Sequence, residues 1–101
     1  MARASGVLLR IDRQAVLWFE AGTAVCRTLE ADPWATLASG TLLAAFPPAL
    51  AETALRSLRA RGHAAAVIGR AEPGSGVRDA DDRPILWPER DEVARVLSTL
   101  V

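Results

Sequence analysis

Apolar positions along the chain fall into short runs and spaced stripes, and each pattern predicts its own element. Val7-Leu8-Leu9-Arg10-Ile11 is short, branched and apolar, which predicts a strand or a lead-in segment closed by Asp12 and Arg13. Phe19, Gly22, Val25, Cys26 and Leu29 recur at helical spacing and predict a helix up to Leu29. Asp32-Pro33 stops it, because the residue before proline is pushed out of the α region. Pro33 then opens a short turn through Trp34, Ala35, Thr36 and Leu37.

Ser39-Gly40 breaks the chain again, and Thr41-Leu-Leu-Ala-Ala-Phe46 follows as an unbroken run. A run without alternation predicts a strand covered on both faces. Pro47-Pro48 ends it and opens a helix whose stripe is Leu50, Ala51, Ala54, Leu55 and Leu58, with Glu52, Arg56, Arg59 and Arg61 largely off it. Gly62 is the expected cap. Ala64-Ala-Ala-Val-Ile68 reads as a second buried strand, so strand, helix and strand form a crossover of βαβ or split βαβ size. Pro73-Gly-Ser-Gly76 is a turn. Val77-Arg78 and Pro84-Ile85-Leu86-Trp87 flank Asp79-Ala-Asp-Asp82 as a polar-tipped hairpin. Pro88-Glu-Arg-Asp-Glu92 starts a last helix with Val93, Val96, Leu97 and Leu100 as its buried stripe. The whole reads as one α/β or α+β layer domain over residues 1–101.

Composition narrows the classes. The chain has 101 residues, half of them hydrophobic, which is enough for one core and argues against disorder. Twelve Lys+Arg balance twelve Asp+Glu, which argues against a nucleic-acid or anionic-membrane partner. All the basic residues are Arg, beside 20 alanines and no Asn or Tyr. That bias reads as a GC-rich genome rather than as selection for anion binding. One Cys excludes an internal disulfide. No run approaches the ~18 apolar residues of a membrane span, and Met1–Gly6 lacks the apolar core of a signal peptide. A soluble, cytoplasmic protein is expected.

Signals for chemistry are few. His63 is the only imidazole and follows a helix end, with no nucleophile assignable beside it. Cys26 lies on an apolar stripe and reads as a small core residue. One Cys and one His fall short of a structural zinc site. Asp79, Asp81 and Asp82 lack the glycine and distal glutamate of a calcium loop and read as a solvated tip; Glu89, Asp91 and Glu92 read as helix-start charges. Gly74-Ser75-Gly76 precedes a hairpin, not a helix, so it is no nucleotide fingerprint. Ser39, Gly40 and Thr41 remain as the candidate ligand-facing residues, since ligands gather at strand edges of α/β sheets; the plainer reading is an ordinary tight turn with Gly where φ must be positive. Trp18, Trp34 and Trp87 sit near element boundaries. They either cover the core or form an interface with another domain.

Taken in order, Asp32-Pro33, Ala38-Ser39-Gly40-Thr41-Leu42-Leu43-Ala44-Ala45, Pro47-Pro48, the Ala/Leu/Arg helix and Ala64-Ala65-Ala66-Val67-Ile68-Gly69 resemble the C-terminal domain of the aminoimidazole ribonucleotide (AIR) synthetase, or PurM-like, superfamily. Within it the pattern is most similar to hydrogenase expression/formation proteins of the HypE type and AIR synthase-related proteins. Glu20, Cys26 and Leu29 fit that pattern, as does Glu89-Arg90-Asp91-Glu92-Val93-Ala94-Arg95, and the resemblance spans roughly residues 7 to 98. It implies an α+β domain with a mixed sheet, helices packed on one face, a β-α-β unit and a C-terminal helix. It also implies a two-domain enzyme: an N-terminal domain dimerises and binds ATP and Mg²⁺, and the C-terminal domain helps shape the pocket. Members activate a substrate oxygen or carboxamide by phosphoryl transfer. In the hydrogenase-maturation branch a thiocarboxamide on a C-terminal cysteine is dehydrated to a thiocyanate.

Three departures shape the expectation. The ATP-binding half is absent from the chain, no terminal Cys follows Leu100-Val101, and Arg70 stands where an acidic residue is common. The chain is therefore expected to be non-catalytic alone, to bind no cofactor by itself, and to complete a pocket with an ATP-binding domain or partner chain. The missing Cys points to an AIR synthase-related protein rather than a cyanide-ligand maturase. The alternative is a free-standing dimeric module that binds a small molecule or regulates a partner.

Overall fold

The computed structural model describes residues 1–37 and 40–100. The chain divides into two compact units, one of residues 1–17 and 43–86, the other of residues 18–42 and 87–101.

The first unit is built on a three-stranded sheet. A short helix α1 (Ala2–Ser5) ends at Gly6, whose left-handed φ of 65° lets the chain reverse into β1 (Leu8–Ile11). β1 is the central strand. It pairs antiparallel with β2 (Gly69–Glu72) and parallel with β3 (Gly76–Asp79), giving the order β2-β1-β3. The long helix α3 (Pro48–Ala60) precedes β2, with proline at its first position; Ala51, Ala54, Leu55 and Leu58 of the expected stripe are half-buried, and Leu50, in its first turn, is exposed. Ala2 and Leu8 are the buried apolar residues of this unit among those described. In the second unit, α2 (Glu20–Thr28) and α4 (Glu92–Leu100) flank a 3-10 turn, Pro33–Ala35. Of the stripe expected to be buried on the last helix, Val96 is buried while Val93, Leu97 and Leu100 stay exposed, since they line an open cleft between the two helices. No helix among the described residues is long and apolar enough to cross a membrane.

The class is α+β with a mixed sheet and a C-terminal helix, as the residue pattern indicates. Two predicted strands differ. Thr41–Phe46 is irregular and exposed and belongs to no sheet, so its expected cover on both faces is absent. Ala64–Ile68 is also irregular, and pairing starts at Gly69. The reason is the length of β1. It ends at Ile11 opposite Gly69, one further bond joins the Asp12 N–H to the Ile68 carbonyl (2.8 Å), and Asp12 then caps a 3-10 turn over Arg13–Ala15. Residues 64–67 have no strand left to pair with. The predicted hairpin forms as β3 followed by a bridge between Arg78 and Pro84.

Side-chain alternation gives the sheet two unlike sides. Leu9, Ile11, Ala71 and Val77 share one; Arg10, Arg70, Glu72 and Arg78 share the other. Arg10 stands directly opposite both Arg70 and Arg78. Two carboxylates are set between the cations. Glu72 accepts from Arg10 Nε (2.9 Å) and Arg70 Nε (2.9 Å), and Asp82 accepts from Arg10 Nη1 (3.2 Å). Arg10 also donates to the Asp79 carbonyl (3.2 Å).

β1 and β2 approach so closely at Gly69 that a Cβ there would overlap the Arg10 carbonyl oxygen. Gly69→Ala is expected to lower stability by about 1–3 kcal/mol, the usual cost of overpacking. Urea denaturation checks this, and a midpoint within error of the parent would contradict the packing described here.

Candidate functional site

The segment leading to Ser39-Gly40-Thr41 is held by the start of α4. Asp91 is the N-cap of that helix: its Oδ2 accepts from the Val93 N–H (2.9 Å) and the Ala94 N–H (3.4 Å). Its other oxygen accepts from the Leu37 N–H (3.0 Å). Glu92, the first helical residue, accepts from the Asp32 N–H (3.0 Å) and pairs with Arg95. Arg95 in turn donates to the Glu30 carbonyl (2.8 Å). Glu30 is strained into the left-handed region at φ 53°. Two adjacent carboxylates therefore hold the backbone on both sides of the Pro33–Ala35 turn. Asp32 caps that turn through the Trp34 N–H (2.9 Å).

Against this turn Trp18 and Trp34 meet edge to face, with ring centroids 5.2 Å apart at 78°. They line a cavity of about 400 Å³ with Thr23, Cys26, Arg27 and Pro33. A second cavity, of about 390 Å³ and almost wholly apolar, runs between α2 and α4, lined by Phe19, Val25, Leu29, Val93, Leu97 and Leu100. Cys26 faces both and its Sγ lies 3.8 Å from Thr36 Oγ1. It is half-buried, a cavity wall rather than the core residue expected from its stripe.

Of the predicted ligand-facing residues, Ser39 lies outside the described residues. Gly40 is exposed with φ 81°, and open space surrounds its Cα where a side chain would stand. Thr41 is exposed. Among the three tryptophans, Trp18 and Trp34 come together whereas Trp87 stands apart, 91 % exposed. His63 is exposed, and its N–H donates to the Leu58 carbonyl just past the end of α3 (3.1 Å), so it closes a helix.

The acidic hairpin tip is a correction to the sequence reading. Asp81 and Asp82 are exposed, but Asp79 is buried. Its Oδ1 accepts from the Asp81 N–H (3.0 Å) and Arg83 N–H (2.9 Å), and its Oδ2 from Arg13 Nε (3.4 Å). The carboxylate shapes the turn from within, an Asx-type arrangement. Among the described residues no three or more His, Cys, Asp or Glu side chains converge on a possible metal position.

Three carboxyls are held below their ordinary range. For Asp79 the main cause is the Arg83 N–H, for Glu72 the Arg10 guanidinium, and for Glu92 the Arg95 guanidinium followed by the Asp32 N–H. A depressed carboxyl stabilises the fold above its unfolded value, roughly pH 4, and that contribution is lost as pH falls through the folded value. Thermal midpoints are thus expected to hold between about pH 7 and about pH 5 and to drop below about pH 4. Glu72→Gln should flatten the acid limb. Asp91→Ala removes both the α4 cap and the Leu37 tether and should cost about 1–2 kcal/mol in denaturant melts; no loss would remove Asp91 from this role.

The helices and the mixed sheet are consistent with one family model. "AIR synthase related protein, C-terminal domain" matches residues 1–81. No curated protein and no solved structure matches the chain. The match takes in all of the three-stranded sheet, the Pro33 turn and α3, and on that ground the chain belongs to the AIR synthase-related C-terminal domain family.

Proposed function

We propose that this domain is the substrate-shaping half of a HypE-like, AIR synthase-related ATP-dependent system, without catalysis of its own. It would complete a pocket with an ATP-binding domain or partner chain in the cytoplasm. One observation carries the reading. The second unit buries Val96 alone among its described apolar residues, while Phe19, Val25, Leu29, Val93, Leu97 and Leu100, which line the apolar cavity, stay exposed. Scattered exposed apolar residues are ordinary, but a wall of them beside an apolar cavity marks a surface that meets something else.

In this reading Ser39, Gly40 and Thr41 face the substrate through backbone N–H groups and hydroxyls. Asp91 and Glu92 are positioning residues, because they hold the backbone at Leu37 and Asp32 on the way to that loop. ATP and Mg²⁺ would be held by the partner, which supplies the phosphoryl group. The described residues of this chain offer no converging metal ligands, so no metal step is derived through them. The alternative, a free-standing dimeric small-molecule-binding or regulatory module, draws on the same exposed surface and differs in what covers it.

Calorimetry and tryptophan fluorescence separate the two. The chain alone is expected to show no ATP/Mg²⁺ binding and no hydrolysis. Mixing with an N-terminal ATP-binding domain of the family should blue-shift tryptophan emission and produce ATP turnover. ATP hydrolysis by the 101-residue chain alone would sink the reading. So would a homodimer whose tryptophan emission is unchanged by the ATP-binding domain.

A further inference from the structure

The sheet of the first unit has an open edge. β3 ends it on one side, where the Arg78–Pro84 bridge and the Ile85 N–H on the Val77 carbonyl (2.9 Å) take up outer backbone groups. β2 ends it on the other, and among the described residues no backbone pairs with its outer side. Gly69, Arg70 and Ala71 are exposed there. Which groups face outward follows from the ladder to β1. The Asp12 N–H bonds the Ile68 carbonyl (2.8 Å), so Asp12 and Ile68 form a hydrogen-bonded pair. By alternation, Arg10 with Arg70 and Leu8 with Glu72 are hydrogen-bonded pairs too. The backbone groups of Arg70 and Glu72 are thus used on β1, and those of Gly69 and Ala71 point away from it.

We propose that this edge is a self-association surface: β2 pairs antiparallel with β2 of a second copy, centred on Ala71, and joins the two sheets into one. Charge chooses both the partner and the register. Arg70 and Glu72 flank Ala71, carry opposite charges and share one side of the sheet. With a two-fold axis at Ala71, Arg70 of each copy stands opposite Glu72 of the other. Their Cα atoms are then about 4.5 Å apart, as in any non-hydrogen-bonded pair. The two Ala71 residues exchange N–H···O bonds across the axis. Gly69 falls opposite the second copy's Pro73, whose missing N–H ends the ladder there. An axis at Arg70 would set two guanidinium groups face to face, and an axis at Glu72 two carboxylates, so both neighbouring registers are disfavoured. Arg70 bonds Glu72 of its own chain through Nε (2.9 Å), and its side chain is 74 % exposed, so its terminal nitrogens are open to the second carboxylate. A charge on an edge strand repels unmatched edges; here it matches its own copy. The pairing gives the dimeric alternative above a surface, and it stands or falls separately from the ATP-binding reading. β2 lies in the first unit and all three tryptophans lie in the second, so different probes read the two.

Sedimentation velocity and residue-resolved amide exchange, run on the whole chain across a concentration series, test this. The parent is expected to dimerise reversibly, and more weakly as salt rises, because the Arg70–Glu72 pairs lie at the surface. As the dimer fills, exchange at the Ala71 amide should slow at least about fivefold, while the Arg70 and Glu72 amides stay protected at every concentration. Ala71→Pro removes an outward N–H, where an edge strand accepts proline, and should leave a monomer with its β1 amides still protected. Arg70→Glu keeps every backbone donor but opposes carboxylates across the axis, and should stay monomeric at concentrations that pair the parent. A parent that is monomeric at its highest soluble concentration overturns the proposal. So does a dimer that survives both substitutions, or one in which Ala71 exchange is independent of concentration.

Discussion

Arg10 is the residue on which the sheet of the first unit depends. It occupies the central strand with a cation directly opposite on either side, an arrangement that by itself opposes pairing. What reverses the sign is the placing of Glu72 and Asp82 between the three guanidinium groups, so that charges alternate across the strands. The Arg10 side chain is only 23 % exposed, so its pairings are less screened than surface ion pairs. The same guanidinium reaches the Asp79 carbonyl and so ties β1 to the hairpin turn. Gly69 completes the arrangement by letting β2 lie close against the Arg10 backbone.

The second unit follows a different rule. Its order comes from polar contacts at helix ends rather than from a filled interior. Asp91 and Glu92 satisfy the amides at the start of α4 and, with their remaining oxygens, those of Leu37 and Asp32. Two adjacent carboxylates thereby hold the backbone at Asp32 and Leu37 while the apolar faces of α2 and α4 stay exposed. In this unit, order at the helix ends and apolar surface are therefore supplied by different residues.

Several of these features are legible in the residue pattern. The helices α2, α3 and α4, the Asp32-Pro33 stop and the branched run of β1 all appear where local spacing puts them, because period and proline geometry act within a few residues, whereas most of the apolar stripe of α2 and α4 stays exposed. Asp91 was readable as a helix-start charge. Its grip on Leu37, 54 residues away in sequence, was not. Asp79 looked like one of three solvated acids, and only the folded turn distinguishes it from Asp81 and Asp82. Thr41–Phe46 shows the reverse case: its apolar run specifies a strand, yet a strand exists only where another backbone accepts it.

The sequence alone determined the family, the α+β class and the location of the helices, since these rest on local periodicity and on a residue order running through the chain. Tertiary structure alone decided which charges meet, which aspartate is buried, which tryptophans touch and which apolar run stays outside the sheet. Those outcomes depend on pairing between residues far apart in the chain, and no local pattern carries the register that brings them together.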